Sequence, residues 1–380
     1  DLPNPTTEGD SANPKAKPAV GTYVAFTGSL TDDRGFNYTD VQQGSMGDCY
    51  LLADLAGIAQ EETAAKANPN NTAIANYQQA FEKVFVTNAS TSATTWGVRM
   101  YDFNGNAHWV TVNNQFVVKA GETTPAYAKL NGGTELWAAL LEKAYAQANE
   151  LDITGRAKPI NGFVNIEGGG ADPFTTFMSG VSTLYTADKS GGYFNSVSTM
   201  TPNVSYTDQI AIYKAAINRG EVLYVGSSYA TTNGGKDEWV SGHAFMAFDA
   251  DPVDPNNDSI VVYNPWGTDS NAVVPFNTTL SSLIKEGGPK IQFFAMDSIP
   301  PKMTAYYQSA DDQITVKFSE GIQLPAQVTA KLYDGSNTVV VSDLVLQQSS
   351  VTGSPNTMLL TALNKDMGMT SGYVVFSGLF

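Results

Sequence analysis

One cysteine and two histidines occur in 380 residues, so thiol or imidazole chemistry has very few places to reside. Cys49 lies in QQGSMGDCYLLADL, residues 42–55, behind Gly44, Gly47 and Asp48 and ahead of an apolar run. A thiol reacts near neutral pH as its thiolate, so a catalytic cysteine needs surroundings that favour negative charge. Leu51, Leu52, Leu55 and Ile58 recur at helical spacing, and a helix starting at Asp48 places Cys49 in its first turn. There, free N–H groups and the helix dipole favour an anion. Gln43 offers a side-chain amide that can join the Cys49 N–H in donating to an oxyanion. Gly44 and Gly47 allow the backbone to pass close to a substrate. The plain alternative is that a lone cysteine is a small buried apolar residue.

The choice between these turns on a base. His108, in GNAHWVTV, sits in an alternating segment and reads as a surface or structural residue. His243 opens the apolar GHAFMAF with Gly242 before it, which suits a general base at a sheet edge with room for a substrate backbone. Asn264, in YNPWG, follows 21 residues later (264 − 243). On an adjacent antiparallel strand its carbonyl oxygen would orient the imidazole and select its tautomer. Trp266 would then cover the pair from water, although NPWG also reads simply as a tight turn anchored by a tryptophan.

These groups need elements to hold them. The length indicates two or three domains, and 42% hydrophobic residues supply a packed interior. Residues 1–20 are rich in Pro, Asn and charge and read as a flexible arm. A mixed half over 21–167 carries the Cys49 helix, a second helix in YQQAFEKVF, strands in TWGVRMYDF and AHWVTVNNQFVV, and a strong amphipathic helix in TELWAALLEKAYAQA. From 168 to 298, after a helix in TDQIAIYKAAINRG, the segments EVLYVGSS, GHAFMAFDA, SIVVYNPWG and KIQFFAM predict an antiparallel sheet. From 299 to 380 short strand-like pieces alternate with turns, as in a small β-sandwich. The formal net charge is 21 − 37 = −16, which disfavours nucleic acid and anionic membrane surfaces as partners and suits cations. No apolar run reaches the length of a membrane span, and a single cysteine forms no internal disulfide.

The assembled residues resemble the calpain family of cysteine endopeptidases. QGSMGDCYLLADL resembles its Gln-Gly-x-x-Gly-Asp-Cys block, LWAALLEKAYA its second helix, and GHAF and YNPWG its remaining motifs, in family order over about residues 22 to 298. The resemblance implies an α+β fold, a papain-like two-lobed protease core followed by the small all-β sandwich. It makes Cys49 the nucleophile, His243 the base, Asn264 the orienter, Gln43 an oxyanion donor and Trp266 the shield. Protein or peptide substrates, cut at a limited number of exposed sites, would run past Gly242, with Gly180 in FMSG on the opposite wall. The resemblance also implies Ca²⁺, held by the carboxylates of Asp40 and Glu142 with Gly35 and Asp33 supplying backbone oxygens, since hard oxygen ligands suit this ion. Tyr38 stands where animal members often carry an arginine, and no EF-hand loop occurs. The tail is similar to bacterial immunoglobulin-like domains, which implies a secreted or cell-surface bacterial protein. Two other functions share these residues: a non-catalytic binding protein on a protease fold, and a transglutaminase-like acyl transferase, which normally places a carboxylate where Asn264 stands.

Overall fold

The computed structural model describes residues 3–7, 21–71, 74–86, 94–102, 107–156, 159–170, 173–178, 221–250, 254, 257–268, 270–286 and 290–294. It also describes short pieces at 186–187, 193–194, 200–201, 210, 214 and 217, and strands between 303 and 377. Two compact units divide the chain, Asp1–Met296 and Asp297–Phe380. In the second, the described elements are antiparallel strands joined in one six-stranded sheet.

The first unit contains, in chain order, strand β1 (Gly21–Ala25), helix α1 (Cys49–Ala67), strands β2 (Thr95–Tyr101), β3 (Ala107–Asn113) and β4 (Gln115–Lys119), and helix α2 (Trp137–Ala148). Strands β5 (Val222–Ser227), β6 (His243–Asp249), β7 (Ser259–Tyr263), β8 (Phe276–Thr279) and β9 (Lys290–Phe294) follow. The last five form one antiparallel sheet in the order β8-β7-β6-β5-β9. Its period-2 alternation assigns residues to two faces. Val222, Tyr224, Ala244 and Met246 join the core around α1, while Leu223, Val225, Phe245 and Ala247 join a second cluster with Trp239 and Phe276. The core around α1 therefore draws on both expected lobes. Helix α1 reaches the sheet at Gly57, where any side chain would collide with Val222.

Several expectations change. YQQAFEKVF forms a 3₁₀ turn (Ala75–Gln79), a short helix (Ala80–Val84) and a two-residue strand rather than one helix. Helix α2 buries every residue instead of one face. That is tolerable because its polar groups find partners: Lys143 donates to the Asn113 and Gln115 carbonyls and Gln147 to the Pro3 carbonyl. Part of the expected flexible arm is fixed. Thr6 pairs with Gly162, Tyr23 donates to the Pro5 carbonyl at 2.6 Å, and Asn161 donates to the Pro3 carbonyl at 3.0 Å. Residues 8–20, Gly180, the turn at 104–106 and most of the helix expected in 207–220 lie outside the described residues.

Candidate active site

Helix α1 begins at Cys49, with Asp48 at its N-cap. The Asp48 carboxylate makes no capping bond; its backbone carbonyl accepts from Leu51 N and Leu52 N instead. The side chain turns inward to Glu142, which is fully enclosed in α2 and accepts from Ala128 N. Burial pushes Asp48 up to about 6 and Glu142 well above the usual carboxylate range. Burial and the Asp48 charge both favour the protonated form of Glu142, and the hydrogen bond between the two carboxyl groups favours the charged form of Asp48. This pair beneath Cys49 was not legible as such, because Asp48 reads as a cap and Glu142 as a ligand.

The sulfur of Cys49 lies beside the backbone N–H of Ala244 in β6. Burial pushes its pKa up to about 11, outweighing the Ala244, Tyr50 and Cys49 N–H groups that favour the thiolate, and the Asp48 charge raises it further. The helix terminus alone therefore does not give the low pKa expected from position, since desolvation is the larger effect.

His243 and Asn264 come together as expected. Strand β6 pairs antiparallel with β7 from Met246↔Tyr263 to Asp249↔Ile260, which puts Asn264, one residue past β7, beside the start of β6. His243 Nε2 and Asn264 Oδ1 are 2.8 Å apart. Asn264 Oδ1 also accepts from Trp266 N at 3.0 Å, so this atom must be the amide oxygen. His243 Nε2 is accordingly the donor, and Nδ1 keeps the lone pair. Burial lowers the imidazole to about 4, with Asn264 opposing the shift. The Trp266 ring centre is 4.8 Å from that of His243. His108, by contrast, pairs with Asp102 at 3.2 Å away from this group.

Gln43 is joined to the same loop through Gln43 N→Pro265 O at 2.7 Å. Its Nε2 donates to the Met46 carbonyl at 2.6 Å and lies 3.4 Å from Asp48 Oδ1. One amide hydrogen is thus committed to the turn, and the second has only the long Asp48 contact. The glycines divide by role. Gly242 has φ +70 and open space where a side chain would stand. A side chain on Gly44 would collide with the Tyr127 carbonyl, and one on Gly47 would crowd Glu167, so these two admit the chain's own loops rather than a substrate. Tyr50 donates to the Ile166 carbonyl at 2.8 Å. A cavity of about 420 Å³ opens beside Gln42, Lys129, Asn131 and Thr268.

The four residues expected to hold calcium do not converge. Glu142 is turned to Asp48 and Ala128, whereas Trp137, five residues earlier on the same helix and so about 140° around it, meets Asp40. Asp33 is exposed, and Gly35 occupies a turn with φ +72. Asp40 is saturated by neutral and cationic donors: Trp137 Nε1 at 3.0 Å, Asn37 N at 3.0 Å, Asn131 Nδ2 at 3.1 Å and Arg34 Nη2 at 2.9 Å. The acidic residue that does share its surroundings is Glu135. Among the described residues no group of three or more His, Cys, Asp or Glu side chains is arranged to hold a metal ion. The residues named from the resemblance do not fit the ion as a set.

Residues 27–272, well over half of the chain, match the calpain family cysteine protease model. The chain belongs to the calpain family of cysteine proteases. Its calpain domain is 29% identical over 245 residues to the calpain-2 catalytic subunit of Homo sapiens, covering 61% of this chain and 28% of that protein. It is 29% identical over 242 residues to calpain-8 of Mus musculus and 28% identical over 239 residues to the calpain-2 catalytic subunit of Gallus gallus, with the same coverage. The chain spans a little over a quarter of the length of these relatives.

Proposed function

We propose that the chain is an endopeptidase that hydrolyses peptide bonds of proteins through Cys49, His243 and Asn264, on a papain-like two-lobed core. The observation that carries this reading is the fixed amide of Asn264, held by Trp266 N and bonded to His243 Nε2, which leaves Nδ1 as the base. In the reaction His243 Nδ1 takes the thiol proton as sulfur attacks the substrate carbonyl. The tetrahedral oxyanion then collapses, and the same proton passes to the leaving amine. Water hydrolyses the thioester by the reverse relay. The second Gln43 amide hydrogen and the Cys49 N–H supply the oxyanion donors, Gly242 faces the substrate backbone, and Trp266 shields the His243–Asn264 bond. The thiol and imidazole shifts favour a neutral resting pair, so proton transfer accompanies attack. The tail serves as an immunoglobulin-like spacer or adhesion module of a secreted or surface-bound bacterial protein.

Incubating the protein with casein and, separately, with a peptidyl epoxide tests this reading. New casein termini and a single adduct mapped to Cys49 by mass spectrometry are expected. Incorporation of an amine without chain cleavage would select acyl transfer instead, and neither cleavage nor adduct would leave a binding scaffold. Asn264→Ala is expected to lower kcat/KM by roughly 10²-fold through loss of ring orientation, with melting measured alongside to separate stability from catalysis.

A further inference from the structure

We propose that Arg34 is a built-in cation for the Asp40–Glu135 carboxylates, holding the segment before Cys49 in place of the metal ion that the resemblance puts at Asp40. The Arg34 guanidinium contacts three carboxylates: Asp32 through Nε at 2.7 Å, and Asp40 and Glu135 through Nη2 at 2.9 and 3.5 Å. Its Nη1 also donates to Thr39 Oγ1 at 3.2 Å. Asp40 and Glu135 are 1% and 5% exposed, whereas the arginine side chain is 47% exposed. A cation reaching in from the surface therefore meets charges that water solvates poorly.

The turn that carries Arg34 is organised for this. Arg34 N donates to Asp32 Oδ1 at 2.7 Å, and Gly35, with φ +72, closes the turn through Gly35 N→Asp32 O. The remaining groups on the two acids are neutral: Asn131 Nδ2 bridges both, Trp137 Nε1 and Asn37 N serve Asp40, and Asp32 N serves Glu135. Lys66, whose ammonium lies near Gly35, is bonded to Glu62 and Glu82. Among the described residues, Arg34 supplies the one ion pair to Asp40 and to Glu135.

The consequence reaches the catalytic group through contiguous contacts. One residue past Asp40, the Val41 carbonyl accepts from Tyr263 Oη at 2.7 Å, and Tyr263 adjoins Asn264. Two residues further, Gln43 N donates to Pro265 O. Fixing Asp40 thus fixes Val41 and Gln43 against the loop that orients His243. Arg34 is a positioning residue; it touches none of the reacting groups.

The test is thermal melting of the full chain, first in chelator and then with Ca²⁺ raised to about 1 mM, for wild type, Arg34→Gly and Arg34→Lys. Wild type and Arg34→Lys are expected to melt at the same temperature with and without calcium. Arg34→Gly is expected to melt lower by roughly 5 °C in chelator and to recover when calcium is added. A calcium-dependent rise in wild type that Asp40→Asn abolishes would overturn the proposal, as would an Arg34→Gly protein that melts like wild type or ignores calcium. If Arg34→Gly does not fold, wild type and Arg34→Lys still decide, because calcium stabilisation of either counts against an occupied pair. Melting needs no substrate, so the outcome is independent of whether the chain proves to be a peptidase.

Discussion

Cys49→Ala is expected to lower casein cleavage by at least ~10⁴-fold and to abolish peptidyl-epoxide labelling. The change removes one partly buried sulfur at a helix start, so unfolding free energy should stay within about 1 kcal/mol of wild type. A lost activity with unchanged melting would then report chemistry. The proposed proton relay adds a second expectation: His243→Ala combined with Cys49→Ala should be no worse than either alone, because both would act in the same step. Retained cleavage in Cys49→Ala would remove the cysteine from the mechanism. The pH profile carries its own sign. Burial holds His243 near 4, below the ordinary imidazole value, and a base stays active above its pKa. The acid limb of kcat/KM should accordingly fall below pH 6.5, toward about 4. An acid limb at or above pH 6.5 would show that the ring is more solvated or more strongly paired than the structure has it.

Gly57→Ala is expected to destabilise the protein by about 1–3 kcal/mol and to reduce activity more than its stability loss explains. A Cβ at this position would overlap Val222 Cγ1 and stand 3.4 Å from Met246 Cγ, so α1 must lift from the sheet or the sheet must give way. Cys49 starts the helix and His243 starts the neighbouring strand β6, so this contact sets how far apart Cys49 and His243 are held. Removing the opposing methyls with Val222→Ala should restore most of both losses. In a double-mutant cycle, a coupling below about 0.5 kcal/mol would show that the helix does not rest on Val222.

Much of this site was legible one residue at a time. The apolar run after Cys49 gives its helix, and the alternation through GHAFMAF and SIVVY gives two strands that bring His243 and Asn264 together. Periodicity is a local property, so it survives in the chain without coordinates. The glycines were less readable. A glycine shows that something approaches closely, but not whether it is a substrate or, as at Gly44, the carbonyl of Tyr127.

The acidic residues show the same limit more sharply. Asp40, Asp48, Glu135 and Glu142 are alike in sequence, and each is buried. The family resemblance paired Asp40 with Glu142. The fold instead sets Asp40 and Glu135 around Arg34, and Asp48 against Glu142, whose protonated form burial favours. The chain by itself determined which residue types could act as nucleophile, base and orienter, because those roles follow from chemistry and local spacing. Only the tertiary structure decided which charges meet and which lose their water, since desolvation and ion pairing depend on neighbours distant along the chain.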